Sequence, residues 1–90
     1  MKPIRWVPHA LANLAAREIP RAEADRTLAA PEFVVPGEPP RSVLMRRYHD
    51  SVLNQQMLMR IVVEDRPDEI VVVTLYKTSH IERYLRGLVP

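Results

Sequence analysis

The last third of the chain contains two segments typical of β-strands, joined by a short polar turn. The segment Ile70–Thr78 is rich in β-branched residues, and the apolar segment 57–64 precedes it. The four residues between them, Asp65-Arg66-Pro67-Asp68, form a turn sequence, because Pro and Asp favour turn backbone conformations. Only antiparallel neighbours are joined by so short a connection, so the sequence predicts an antiparallel hairpin.

Arg60 interrupts the apolar segment 57–64, at a position where strand propensity favours a hydrophobic residue. Side chains alternate along a strand, so Met57, Met59, Ile61 and Val63 are expected to share the face that packs on helices. Arg60 then lies on the second face of the sheet. A guanidinium there either pairs with a carboxylate or faces an anion.

A third strand is predicted for residues 43–49, just before the hairpin. Alternation gives two ways to place its polar side chains. Either Arg46 and Tyr48, or Arg47 and His49, share the face of Arg60. The sequence does not decide between them.

The first third of the chain predicts a short strand, residues 4–7, and then two helices over residues 8–18 and 20–30. Pro8 suits a first helical turn, where its missing N–H costs nothing. Helical spacing predicts an apolar stripe on the first helix: Leu11, Leu14 and Ala15. The opposite side carries a polar stripe: His9, Asn13 and Arg17.

Two further segments complete the predicted organisation. Residues 31–42 contain four of the nine prolines and one of the two glycines, and are expected to form a loop. Residues 79–87 predict a short C-terminal helix, because Ser79 and Glu82 have the spacing of a capping box and Gly87 suits the helix end.

These elements predict one α+β domain over residues 1–90. It has a short N-terminal strand, two helices packed on a three- to four-stranded antiparallel sheet, and a short C-terminal helix. A chain of 90 residues has room for one core. The absence of cysteine, of a signal-peptide pattern and of a long apolar run predicts a cytoplasmic protein without a membrane partner.

Several classes of enzyme are excluded by composition. Two glycines cannot supply a P-loop, a dinucleotide fingerprint or a nucleophile elbow, and no spacing of His or acidic residues indicates a metal site. No cofactor is therefore expected, and metal-independent acid–base chemistry remains. His9 and His80 stand at predicted helix starts, where the helix dipole disfavours an imidazolium and favours a bound phosphate.

A basic and aromatic set accompanies the predicted strands and the last helix. Such side chains bind backbone phosphates and stack bases, although a solvated sheet face has the same composition. The candidate nucleic-acid-binding residues are Arg46, Arg47, Tyr48, Arg60, Tyr76, Lys77 and Arg83.

Four short motifs resemble the family called domain of unknown function 4258, which is thought to share the fold of RelE and ParE type toxins in the barnase–colicin–RelE group. The motifs are Pro8-His9-Ala10, Arg17-Glu18-Ile19, Ala30-Pro31-Glu32 and Tyr76-Lys77-Thr78-Ser79. The resemblance implies a helix pair on one sheet face and a basic groove on the other. It also matches His9 and Arg17 to the His and Arg of that family's first helix, and Thr78 to its Thr or Ser at the end of the last strand.

On this resemblance the chain is expected to be a toxin of a toxin–antitoxin system and a metal-independent endoribonuclease. Its partners would be RNA, as tRNA or on the ribosome, and a cognate antitoxin; the oligomeric state stays open, with a dimer among the alternatives. His9 would deprotonate the ribose 2′-hydroxyl, while Arg17 and Arg60 stabilise charge on phosphorus and His80 or Tyr76 protonates the leaving oxygen.

That mechanism requires His9 to face Arg60 across one pocket. The alternative is a non-catalytic module of the same fold that recognises or inhibits a protein or nucleic-acid partner. A nucleic-acid-binding accessory domain would show steep salt dependence of binding without turnover.

Overall fold

The computed structural model describes residues 2–88 and confirms the α+β class. In chain order the elements are β1 (Ile4–Trp6), α1 (Pro8–Ala16), α2 (Arg21–Ala29), β2 (Phe33–Pro36), β3 (Arg41–Asp50), β4 (Gln55–Asp65), β5 (Ile70–Thr78) and α3 (Ile81–Leu85). Among these residues no helix combines the length and the apolar character needed to cross a membrane.

The sheet has five strands in the order β1-β5-β4-β3-β2, and β1 runs parallel to β5 while the other pairs are antiparallel. The prediction of a three- to four-stranded antiparallel sheet is therefore wrong in strand number and at one edge. The additional strand, β2, lies inside the predicted loop 31–42. Pro36 is compatible with it because an edge strand has one side on which no N–H is required.

The sheet separates two apolar layers. The layer under α1 and α2 contains these buried residues: Ala10, Ile19, Ala24, Tyr48, Met57, Met59, Ile61, Val63, Val72 and Leu75. The layer under α3 contains these: Val43, Met45, Leu58 and Leu85, flanked by Phe33, Val35, Val62, Ile81 and Tyr84. We call the two sides of the sheet the helix-pair face and the α3 face.

Helix α1 packs only in part through the predicted apolar stripe: Leu14 packs against the core, whereas Leu11 and Ala15 are exposed. Ala10 and Asn13 are buried, whereas Leu11 is 45% exposed. The small side chain of Ala10 permits close approach to the sheet, and the amide Nδ2 of Asn13 donates to Oγ1 of Thr74 in β5 at 2.8 Å. The helix ends at Ala16, two residues before the predicted end, and Glu18 has a positive φ of 52°.

An irregularity in the pairing of β4 with β5 changes which side chains of β5 face the helices. The register shifts between Val62 and Val63, so that Val72 and Leu75, three residues apart, both lie in the helix-pair core. Strict alternation predicts Val73 together with Leu75 on one side, and this fails at the bulge. Thr74, which follows the bulge, accepts the hydrogen bond from Asn13 of α1.

Helix α3 is shorter than the predicted segment 79–87. Ser79 does not cap it: the N-cap is His80, which has no side-chain capping bond, and the backbone N–H of His80 donates to Oγ1 of Thr78 at 3.1 Å. Gly87 follows the helix with φ of +85°, a left-handed conformation that favours glycine. Its predicted position at the helix end is confirmed.

The end of the sheet where β4 joins β5 carries a ladder of alternating charges. Arg41 pairs with Glu64 at 3.5 Å, and Arg66 pairs with Glu64 at 2.8 Å. Glu69 joins Arg66 at 3.4 Å and Arg5 at 3.0 Å. Opposite charges thus neutralise each other at this end.

Candidate nucleic-acid interface

Arg60 is half-buried on the α3 face, as the alternation of β4 predicts. Its strand neighbours are Met45 on β3 and Tyr76 on β5. The guanidinium carbon lies 4.1 Å from the ring centroid of Tyr84 on α3 and 5.4 Å from that of Tyr76. One N–H of the guanidinium bonds the Tyr76 hydroxyl, and Nε lies 3.3 Å from the Met45 sulfur.

No carboxylate among residues 2–88 forms an ion pair with this guanidinium. The charge is instead held against the faces of two tyrosine rings, an arrangement that gains strength as water is removed. Arg60 can also present a planar, fork-shaped set of donors, which matches phosphate oxygens. The site therefore has a fixed cation and no anion of its own within the described chain.

Tyr76 serves this site as a neutral phenol. Burial raises its pKa, and the neighbouring Tyr84 phenol raises it further, whereas Arg60 acts in the opposite direction. A tyrosine with a raised pKa keeps its proton at neutral pH. Tyr76 can thus donate or accept a hydrogen bond but does not supply a base.

Two shallow depressions border α3. One is lined by Ser79, His80, Ile81, Glu82, Arg83 and Arg86. The other is lined by Arg47, Ile81, Glu82, Leu85, Arg86 and Gly87. Arg83 and Arg86 are exposed, and within residues 2–88 neither has a carboxylate partner. These cations extend the charge of Arg60 along the helix.

Arg47 joins the α3 face, which resolves the open choice between Arg46 and Arg47. It pairs across the sheet with Leu58, next to Thr78. Glu32 holds its guanidinium in a two-point contact, at 2.9 and 3.2 Å. Hydrogen bonds from Arg47 lower the pKa of the Glu32 carboxyl, so the pair stays charged at neutral pH.

The other three residues of the predicted nucleic-acid set lie on the helix-pair face. Arg46 donates to the carbonyl of Ala30 at 2.9 Å, and Tyr48 is buried in the core. Lys77 is nearly buried and pairs with Asp50 at 2.9 Å. The structure therefore does not bring Arg46, Tyr48 and Lys77 to the surface that carries Arg60.

The six predicted catalytic residues are divided between the two faces. His9 is exposed on α1, and Arg17, which follows α1, donates to the Leu75 carbonyl at 2.9 Å. The sheet lies between α1 and the side chain of Arg60, so His9 and Arg60 do not face each other across a pocket. The other four, Arg60, Tyr76, Thr78 and His80, lie on the last strands or at the start of α3.

Sequence reasoning missed Tyr84 and Arg86 as members of this surface. Tyr84 was detectable as an aromatic residue on the helix that directly follows the strand of Tyr76. Arg86 lies four residues after Glu82, so a helical projection places it on the flank that faces Arg47.

Comparison of this chain with known protein families, with curated proteins and with solved structures finds no match. Within residues 2–88, no group of three His or acidic side chains is arranged to hold a metal ion. The geometry of the α3 face is therefore the feature of the molecule that bears on its function.

Proposed function

We propose that this chain is a nucleic-acid-binding module that holds the backbone of single-stranded RNA on its α3 face. The observation that carries the proposal is Arg60, a half-buried guanidinium between two tyrosine rings with no carboxylate partner among the described residues. A phosphate oxygen provides the acceptor that such a site lacks.

The distribution of ion pairs supports an anionic partner on this face. Eight of the thirteen lysines and arginines pair with carboxylates within the described chain. Among the remaining five, Arg60, Arg83 and Arg86 belong to the α3 face. Cations grouped in this way supply the sequence-independent part of nucleic-acid affinity.

The shape of the face favours a single strand over a duplex. Helix α3 has only five residues, too few to act as a recognition helix along a major groove. Tyr84 and the planar guanidinium of Arg60 offer flat surfaces, and unpaired bases stack on aromatic rings and on arginine.

The test compares Arg60→Gln with Arg26→Gln, a control on α2 whose partner is Glu23. Binding of a labelled single-stranded RNA is followed by fluorescence anisotropy over a series of salt concentrations. R60Q is expected to bind about tenfold more weakly, as loss of one charge-assisted hydrogen bond predicts. Its salt slope should fall by roughly 0.7, the value for one phosphate contact on a single strand.

R26Q should bind as the wild type does. Thermal melting of both variants controls for folding. Equal affinities and equal salt slopes for wild type, R60Q and R26Q would contradict the proposal.

A second candidate, the metal-independent endoribonuclease of a toxin, uses the same face without His9. It is favoured by the bond between Arg60 and Tyr76 and by the place of Thr78 and His80, at the end of the same strand and just before α3, where the backbone N–H of His80 donates to Oγ1 of Thr78. Incubation of total RNA in EDTA tests it. If His9→Ala still cleaves RNA and R60Q does not, the endoribonuclease is supported. If the wild type does not cleave RNA, the endoribonuclease is refuted and the non-catalytic binding module stands.

A further inference from the structure

The α3 face contains an anion site beside β2, and a carboxylate of the chain itself occupies it. Strand β2 begins at Phe33, which pairs with Met45, so the backbone N–H of Arg47 lies past the end of β2. This N–H donates to Oε1 of Glu32 at 2.8 Å. The Arg47 guanidinium bonds the same carboxylate through Nε at 3.2 Å and Nη2 at 2.9 Å. A backbone N–H and a guanidinium fork that converge on two oxygens are also the donors that hold a phosphate.

The carboxylate of Glu32 can leave this site without unfolding any helix or strand. Glu32 lies between α2 and β2, and its backbone N–H donates to the Met45 carbonyl at 2.9 Å, so only its side chain has to turn. The side chains of Arg47 and Glu32 are 42% and 29% exposed. Ion pairs exposed to this degree contribute little to stability, because water and salt screen them. The Phe33 ring, 5.8 Å from the guanidinium carbon, would keep Arg47 on this face after the carboxylate has left.

Arg47 is connected to Arg60 over the exposed side of α3. Arg47 and Arg86 line one depression beside the helix, and Arg86 lines the second depression together with Arg83. Two residues advance about 200° around a helix, so Tyr84, which contacts Arg60, lies on the opposite flank from Arg86. A helix with its side chains is about 10 Å across. A single strand that crosses α3 would therefore meet these four cations one after another.

We propose that Glu32 is an internal competitor of RNA, whose carboxylate occupies at Arg47 the place of one phosphate of the single strand. The inference rests on the proposed function and adds to it a regulation of the same site. On binding, a phosphate would replace the carboxylate at the N–H and guanidinium of Arg47, and the Glu32 side chain would turn to solvent. The strand gains the Arg47 contact only when the ion pair is broken, so Glu32 lowers the affinity of the α3 face.

The test compares Glu32→Gln with Asp25→Asn, a control that removes the same charge from an exposed ion pair on α2. Binding of the labelled single-stranded RNA is followed by fluorescence anisotropy over a series of salt concentrations. E32Q should bind about fivefold more tightly, the factor by which a well-formed exposed ion pair opposes the exchange. Its salt slope should be steeper by roughly 0.7, since one more phosphate is neutralised and no carboxylate is set free. D25N should bind within about twofold of the wild type, because salt screens a charge so far from the site.

Two further variants assign the gain in affinity to Arg47. E32Q/R47Q should lose the gain, because the cation that Glu32 releases is then missing. Glu32→Ala should bind as tightly as E32Q, which excludes a new contact made by glutamine. Thermal melting of each variant controls for folding.

Three results would overturn the competitor and leave the proposed function standing, as long as R60Q still binds more weakly than the wild type. In the first, E32Q binds no more tightly than D25N. In the second, E32A shows no gain, and in the third, E32Q/R47Q keeps the gain, which then does not depend on Arg47. If neither wild type nor E32Q binds RNA at low salt, the proposed function is refuted, and the competitor with it.

Discussion

Replacing Asn13 by alanine tests the packing of α1 on the sheet. Asn13 is 6% exposed, and its amide donates to the Thr74 hydroxyl at 2.8 Å. Leaving a buried polar partner unsatisfied costs about 1–3 kcal/mol. The small cavity left by the amide adds roughly 1 kcal/mol, and the better helix propensity of alanine returns about 0.5 kcal/mol.

The expected net loss for N13A is therefore about 2 kcal/mol in the free energy of unfolding. For a domain of this size each kcal/mol moves the melting temperature by about 4–8 °C, so N13A should melt roughly 8–16 °C below the wild type. Urea unfolding should show a lower midpoint at an unchanged m-value.

Two further variants isolate the hydrogen bond from the helix itself. Thr74→Val removes the acceptor and is expected to destabilise as well, whereas N13A/T74V should cost less than the sum of the single changes. His9→Ala changes an exposed residue on the same helix and should stay within about 0.5 kcal/mol of the wild type. If N13A is as mild as H9A, or if the double variant is simply additive, Asn13 does not anchor α1.

Asp50→Asn should lower the urea midpoint more than Asp25→Asn does, because Lys77 is left nearly buried without its counter-ion, while Asp25 belongs to an exposed ion pair. Backbone N–H donation from Leu53, and then Lys77, holds the pKa of Asp50 below its usual range, so its stabilisation is present above about pH 4 and is lost as the pH falls. The difference in urea midpoint between wild type and D50N should thus shrink as the pH is lowered, and a difference that does not change with pH would contradict this. Gly87→Ala forces a left-handed backbone on alanine and should cost about 1–2 kcal/mol; an unchanged midpoint would show that the end of α3 does not need glycine.

The central hairpin could be predicted because the residues that determine it, two apolar strand segments and the turn between them, are consecutive in the sequence. Residues Ile70–Thr78 match the observed β5 at both ends, and the orientation of Arg60 follows from alternation in β4. β2 could not be predicted in the same way, since Pro31 before the strand and Pro36 at its end indicate a loop unless the strand is known to lie at an edge. Edge position is a property of the assembled sheet.

The candidate site was predictable only where alternation held. The choice between Arg46 and Arg47 required the register of β3 against β4, which depends on contacts distant in sequence. Lys77 is recruited by Asp50, 27 residues earlier, and so leaves the basic surface for the core. A single sequence does not reveal such a pairing, because both residue types also suit exposed strand ends.

The parallel pairing of β1 with β5 constrains the order in which the molecule can assemble. Ile4 lies opposite Ile70, so the first strand acquires its partner only after most of the chain is available. The β3–β4–β5 meander needs only short loop closures and can form earlier, whereas docking of β1 closes a loop of more than sixty residues at a higher entropic cost. During synthesis on a ribosome, the amino-terminal edge would therefore be the last strand to be incorporated.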